Sequence, residues 1–134
     1  MKLFCAYAFT GEKVEDIDER MNLVVETLNT TGHSAYCNRF DKVVDDLQKK
    51  DDIKGIFGEA FKNLEKCDGL VAIITSPSRS IGQIMEIGIA LSQEKPVYLL
   101  EHLSAEGSSY LPRLVDKHIK WETLDELKTA LQTI

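Results

Sequence analysis

Two patterns of apolar and polar residues alternate along the chain, and they predict strands separated by helices. Short apolar runs typical of strands lie at 2–8, 34–37, 70–74, 96–100 and 119–121. Apolar residues at helical spacing lie at 12–29, 53–64, 81–93 and 124–131, with a short helix expected at 112–116. The polar stretch 38–50 is expected to be a long connection, with room for a helical turn.

This alternation predicts an α/β fold: a single-domain three-layer sandwich over residues 1–134, with a five-stranded parallel sheet and helices on both faces. The run 70–74 contains no polar residue, which is typical of a central parallel strand covered on both faces. We favour strand order 2-1-3-4-5, a Rossmann/flavodoxin-like topology. Ligands bind such sheets where the order reverses, so the exits of the first and third strands, at 7–11 and 75–82, are the expected binding edge.

The third helical segment is apolar except at Glu86, which is the only ionisable residue between Arg79 and Glu94. A buried carboxylate costs several kcal/mol unless it is paired, so we predict that Glu86 acts on a ligand. The alternative is an ion pair between helices or subunits. Gly82 and Ala90, one turn away on either side, leave space beside it. Two roles remain open: nucleophilic attack on a sugar carbon, or acceptance of hydrogen bonds from ribose hydroxyls.

The same segment opens with features of an anion site. Ser76, Ser78 and Ser80 follow the third strand and precede a helix N-terminus, where free N–H groups and the helix dipole favour negative charge. Ser80 and Gln83 have the spacing of a capping box. The alternative interpretation is that these serines are ordinary turn and cap residues.

Composition excludes several classes of partner. A net charge of -6, with no clustered Lys and Arg, argues against nucleic acid, and no apolar run is long enough to span a membrane. The first residues lead directly into a strand without a cleavage pattern, so we expect a cytoplasmic protein. The three cysteines are interpreted as buried free thiols, and neither cysteine nor histidine spacing indicates a metal site, so no cofactor is expected.

One segment carries a family resemblance. The residues CDGLVAIITSPS at 67–78, SIGQIMEIGIAL at 80–91 and KPVYLL at 95–100 resemble the nucleoside 2-deoxyribosyltransferase family, which includes 2'-deoxynucleoside 5'-monophosphate N-glycosidases. The resemblance extends over most of the chain, and 82–88 is its more specific part. It implies the fold predicted above, a small nucleoside or nucleotide substrate, and cleavage or transfer at the N-glycosidic bond.

The resemblance also implies roles for individual residues. Glu86 matches the catalytic glutamate that attacks the anomeric carbon, and Ser80 matches a phosphate-binding serine of the nucleotide hydrolases. Ser109 is matched to a serine that a neighbouring subunit donates to the phosphate. Tyr7 is expected to line the pocket, with a core tyrosine as the alternative. Phe9, in the loop after the first strand, joins Ser78 and Gly82 as a substrate-binding candidate.

One position departs from the family pattern. An aspartate that helps to protonate the leaving base usually precedes the third strand, and Ala60 occupies that position. Glu59 is adjacent but points about 100° away on a helix, and Asp68 is expected at the opposite end of the strand in a structural role. The base, the sugar and the choice between hydrolysis and transfer are not specified by the sequence.

Other functions are compatible with the pattern. One is a nucleotide-sensing or NAD-cleaving module resembling Toll/interleukin-receptor domains, and another is a domain that binds nucleotides without turnover. A third is an oligomeric domain in which Glu86 only pairs across an interface. Because Ile81, Ile84, Ile87 and Leu91 make the third helical segment apolar nearly all round, we expect a homodimer or higher oligomer, with a shared site. The alternative is that the connection 38–50 covers this segment.

Overall fold

A computed structural model describes residues 1–78, 80–105 and 110–134, and its five strands form one parallel sheet of order 2-1-3-4-5. The predicted topology is confirmed. The strands are β1 (Lys2–Tyr7), β2 (Ser34–Tyr36), β3 (Gly69–Ile74), β4 (Val97–His102) and β5 (Lys117–Trp121). Every residue of β3 is buried, which explains why this strand has no polar alternation.

Helices cover both faces of the sheet. They are α1 (Val14–Thr30), α2 (Lys42–Lys49), α3 (Ile53–Lys66), α4 (Ile81–Ser92), α5 (Leu111–Leu114) and α6 (Leu124–Leu131). α1 ends before Gly32, whose φ of 91° is a conformation that glycine adopts without strain. In the described residues, no helix is both long enough and apolar enough to cross a membrane.

Alternate residues of each central strand face opposite layers and build two cores. Leu3 and Cys5 of β1 pack with α1 and α6, whereas Phe4 and Ala6 pack with α3 and α4. All three cysteines are free and buried. The two cores therefore lie on opposite faces of the sheet, and its carboxyl edge borders both.

The connection 38–50 is more helical than predicted. A 3-10 turn at Asn38–Phe40 leads into α2, and Asp41 caps this helix by accepting a hydrogen bond from the Val43 N–H at 2.9 Å. Val44 is the one residue of α2 that is buried, so the sequence of this helix contains few apolar residues at helical spacing. α2 packs against α3 and forms a wall at the carboxyl edge of the sheet.

The expected binding edge lies between β1 and β3. These strands are paired in parallel, with Tyr7 opposite Ile73 at their carboxyl ends. The chain leaves β1 toward α1 on one face, whereas α3 and α4, on either side of β3 in sequence, cover the other. The segments that follow the two strands therefore diverge and leave a crevice.

Candidate active site

A cavity of about 310 Å³ occupies this crevice on the face covered by α2, α3 and α4. It is large enough for a small metabolite. α2 and α3 supply a mainly apolar wall, and α4 with its N-cap supplies the polar side chains Ser80, Gln83 and Glu86. The residues that line it are Tyr7, Phe9, Thr10, Asn38, Val44, Gln48, Ile53, Ile56, Phe57, Ala60, Ser80, Gly82, Gln83 and Glu86.

Glu86 lies in the wall of the cavity on the second turn of α4. Its side chain is buried, with 6% relative exposure, and no hydrogen bond or ion pair to its carboxylate occurs within the described residues. Burial raises the pKa of Glu86 to about 8, because no neighbouring cation or donor offsets the loss of hydration. The structure thus contains a buried carboxylate that contacts a cavity instead of a partner.

Tyr7 and Phe9 reach the cavity from the end of β1. Burial is the main cause that raises the pKa of the Tyr7 hydroxyl well above its ordinary value, and the charge of Glu86 contributes to the rise. The hydroxyl is therefore protonated at neutral pH and can donate a hydrogen bond. Phe9 is 42% exposed and lies under the guanidinium of Arg39, at 5.9 Å from the ring centroid.

Arg39 is a neighbour of the site that no sequence motif singles out. Its guanidinium forms a bidentate pair with the Asp18 carboxylate, with Nε to Oδ1 at 2.6 Å and the second nitrogen at 3.3 Å. Cation–π contact and ion pairing together hold the Phe9 ring beside the cavity. No motif marks such a pair, because Asp18 and Arg39 lie 21 residues apart in sequence.

Some of the substrate-binding candidates at the start of α4 lie in the cavity and others do not. Ser80 and Gly82 line the cavity, whereas Ser78 is exposed nearby and does not line it. The Ser78 N–H donates to Ser76 Oγ at 3.2 Å, as in a local turn. Ser109 lies outside the described residues.

Gly82 leaves little space beside its backbone. A Cβ atom at this position would lie 3.3 Å from a ring carbon of Phe57. Any side chain at position 82 would therefore press against the Phe57 ring, where α4 faces α3.

Gln83 forms only one half of the predicted capping box. Its backbone N–H donates to Ser80 Oγ at 3.3 Å, so Ser80 caps α4 as expected. Its side chain does not turn back toward the cap. The amide Nε2 instead donates to the carbonyls of Ala6 at 3.1 Å and Ile73 at 2.9 Å, which joins the ends of β1 and β3.

The position of the expected proton donor is apolar. Ala60 is 2% exposed and lines the cavity from α3. Glu59 is not among the lining residues and accepts a hydrogen bond from Asn63 at 3.2 Å. Asp68 lies at the opposite end of β3, where its carboxylate accepts from the Lys2 N–H at 2.7 Å. Within the described chain, Glu86 and Tyr7 are the ionisable side chains that line the cavity.

A second cavity, of about 280 Å³, lies on the other face of the same edge. Its central charges already have partners: Glu12 pairs with Arg20 at 3.0 Å and accepts from the Thr75 hydroxyl at 2.8 Å. A carboxylate satisfied in this way has less capacity for a ligand than Glu86 has. No group of three His, Cys, Asp or Glu side chains that could hold a metal ion occurs among residues 1–78, 80–105 and 110–134.

Comparison with known proteins gives the family of the chain. The family model described as nucleoside 2-deoxyribosyltransferase matches residues 4–113. The chain belongs to the nucleoside 2-deoxyribosyltransferase family. The match includes residues 4–7 of β1 and the whole of β3 and α4, so the family resemblance predicted from 67–100 is confirmed. No match is found among curated protein sequences.

Solved structures with the same fold include members with named activities. The CMP N-glycosidase BcmB of Clostridium botulinum is 19% identical, with a TM-score of 0.69 over 99% of this chain and 98% of that one. The 2-deoxyribosyltransferase of Bacillus psychrosaccharolyticus is 17% identical, with a TM-score of 0.66 over 96% and 90%. A conserved protein of Enterococcus faecalis V583 is 17% identical, with a TM-score of 0.66 over 98% of this chain and 97% of that one. At these identities the likeness shows the fold alone.

Proposed function

We propose that this protein cleaves or transfers at the N-glycosidic bond of a nucleoside or a (deoxy)nucleoside 5'-monophosphate, with Glu86 as the nucleophile. The observation that carries the proposal is the Glu86 carboxylate, which is buried, unpaired within the described chain and in contact with the cavity between β1 and β3. A group that costs stability in this way is expected where chemistry requires it. The family supplies the type of reaction.

The reaction needs a carboxylate beside the anomeric carbon. An oxygen of Glu86 bonds to that carbon while the C–N bond breaks, and the electron pair stays on the base nitrogen, which takes up a proton. Water in hydrolysis, or a second base in transfer, then attacks the same carbon and releases Glu86. Positive charge develops on the sugar in both steps, and a carboxylate in a buried site stabilises it more than it would in water.

Protonation of the departing base needs a proton donor, and the described cavity has no aspartate at the position where the family has one. Ala60 has no proton to give. We assign to Tyr7 the donation of a hydrogen bond to the reacting groups, because its raised pKa keeps the hydroxyl protonated. The proton itself is assigned to a water molecule from the solvent.

The start of α4 is proposed to hold the substrate's phosphate. Ser80 accepts a hydrogen bond from the Gln83 N–H, which leaves its own hydroxyl hydrogen free to donate. Ser80 and Gly82 line the cavity at the first turn of α4, where the helix dipole favours an anion. Ser78 and Ser109 stay proposals as further phosphate ligands, Ser78 from the turn before α4 and Ser109 from a neighbouring copy.

Base release tests the proposal. The protein is incubated with the four common ribonucleosides, the four 2'-deoxynucleosides and all their 5'-monophosphates, and free base is measured by chromatography. We expect release from at least one substrate and a loss of at least about a thousandfold in Glu86→Gln. Glu59→Gln is the matched control, because Glu59 lies outside the cavity and is expected to leave the rate unchanged. Equal release by the parent and Glu86→Gln would refute the proposal.

Binding without turnover is a second candidate, and Ala60 favours it. A site that lacks the usual proton donor can retain a nucleotide without cleaving its bond. Calorimetry would then show saturable binding of a monophosphate that chromatography recovers unchanged. Rapid release of free base would exclude this candidate.

We also propose that a second copy of the chain covers α4. Ile81, Ile84 and Met85 are exposed by 78%, 37% and 43%, and they form one apolar face beside the site. Light scattering after gel filtration is expected to show an oligomer, and Met85→Lys is expected to weaken it. Val43→Lys, on α2 and 50% exposed, is the control that should leave the mass unchanged. A monomeric parent at micromolar concentration would contradict this part of the proposal.

A further inference from the structure

The Gln83 amide has a fixed orientation. Its side chain is 3% exposed, and Nε2 donates to the Ala6 carbonyl at 3.1 Å and to the Ile73 carbonyl at 2.9 Å. An amide nitrogen carries two hydrogens, so both donors are used. A reversed amide would place Oε1 against two carbonyl oxygens, which repel it. The carbonyls of the two strands therefore determine which end of the amide faces elsewhere.

The other end of the Gln83 amide is the oxygen Oε1, a hydrogen-bond acceptor in contact with the cavity. Gln83 lines the cavity beside Glu86, and Oε1 makes no hydrogen bond to the described residues. Among the described residues, Trp121 Nε1 is the one side-chain nitrogen or oxygen that is both buried from solvent and without a hydrogen-bond partner. Gln83 Oε1 also has no partner among them, so it is not fully buried. Gln83 Oε1 is therefore accessible, and the cavity is the space into which it opens. A buried acceptor of this kind needs a donor from outside the chain.

We propose that Gln83 is a specificity-determining residue whose Oε1 accepts a hydrogen bond from a hydroxyl group of the substrate's sugar. The inference rests on the proposed attack of Glu86 at the anomeric carbon. Residues three apart on a helix share a face, with Cβ atoms about 5–6 Å apart. The groups within reach of Gln83 are thus those two or three bonds from the attacked carbon, and on a nucleotide these include the 2' and 3' hydroxyls.

The fixed amide also makes this recognition selective. Because both hydrogens are used, Gln83 can accept from a hydroxyl but cannot donate to a phosphate or a base carbonyl. A sugar that lacks the hydroxyl leaves Oε1 with water or with no partner, and discrimination by a lost hydrogen bond follows. Removal of the amide has a second, structural effect, because the ends of β1 and β3 lose their link. The lost hydrogen bond changes binding only for sugars that carry the hydroxyl, whereas the lost link between the strands affects all ligands alike.

A binding cycle separates them. Dissociation constants are measured by calorimetry in the Glu86→Gln background, in which no ligand is consumed, with and without Gln83→Met. The ligands are AMP, dAMP and 2',3'-dideoxy-AMP, and the same three nucleotides with cytosine. Gln48→Met is the matched control, because Gln48 lines the cavity from α2 and none of its hydrogen bonds joins the strand ends. Circular dichroism checks that each variant is folded.

We expect affinity in the Glu86→Gln protein to fall about tenfold at one step of the sugar series. That step should shrink to less than about twofold with Gln83→Met and should persist with Gln48→Met. If the loss of affinity along the sugar series were equal in the proteins with Gln83 and with Gln83→Met, the inference would be overturned and the proposed function would stand. Equal affinity for all three sugars would overturn it even if Gln83→Met did not fold. Failure of all six ligands to bind would overturn both the inference and the choice of a nucleotide substrate.

Discussion

Replacement of Glu86 by Gln is expected to stabilise the protein above pH 6. The folded protein holds the Glu86 proton up to a pKa of about 8, whereas the unfolded chain releases it near the ordinary value of 4.5. Between these values the folded state binds more protons than the unfolded state, so the stability of the parent falls as pH rises. Below pH 4.5 both states are protonated, and this contribution is absent.

The size of the effect follows from the same two values. Each unit of pKa difference corresponds to about 1.4 kcal/mol, so the free energy of unfolding of Glu86→Gln should gain about 5 kcal/mol on the parent between pH 4.5 and pH 9. A side chain that is 6% exposed has little solvent to reduce this value. The gain is a large share of the 5–15 kcal/mol typical of a domain.

Urea unfolding followed by circular dichroism at pH 5, 6, 7, 8 and 9 measures this difference. All other titrating groups are common to both proteins and cancel in the comparison. Glu59→Gln is the control, because its carboxylate is partly exposed and bonded to Asn63, and its difference from the parent should vary by less than about 1 kcal/mol. A difference between Glu86→Gln and the parent that does not change with pH would refute the conclusion that the carboxylate is unpaired in the folded protein.

Two further predictions concern the site in action. The kcat/KM for base release should rise from pH 6 to about pH 8 and then level off, because Glu86 must be ionised to attack and kcat/KM reports the free enzyme; a rate that falls over this range would contradict a nucleophilic role. Ser80→Ala should lower the free energy of unfolding by about 1 kcal/mol through loss of the α4 cap, and should raise KM for a 5'-monophosphate more than for its nucleoside. An equal change in both KM values would remove Ser80 from the phosphate site.

The fold was predictable because local patterns determine it. Unbroken apolar residues mark β3, helical spacing marks α1, α3 and α4, and right-handed crossovers restrict the strand order. The prediction was wrong about α2, where Val43, Val44 and Leu47 form too short an apolar stripe for a two-turn helix to be distinguished from a loop. The cap from Asp41 was the signal available in the sequence.

The site was predictable only in part. Glu86 was found from sequence because a single charge in an apolar helix is a local anomaly. Gln83 was assigned to a local capping box, whereas its partner Ala6 lies 77 residues earlier in the chain. Contacts between distant segments have no signature in one sequence. The same reason applies to Arg39 and Asp18 beside Phe9.

The central claim is that Glu86 forms a covalent bond to the sugar, and mass spectrometry tests it most directly. A 2'-deoxy-2'-fluoroarabinonucleoside 5'-monophosphate slows both steps, because fluorine destabilises the positive charge that develops on the sugar. Incubation without a second base leaves only water to attack the intermediate, which should then accumulate. We predict one sugar phosphate per chain, located on the peptide that contains Glu86 and absent from Glu86→Gln. Release of base with no adduct, or an adduct on a different residue, would contradict the account.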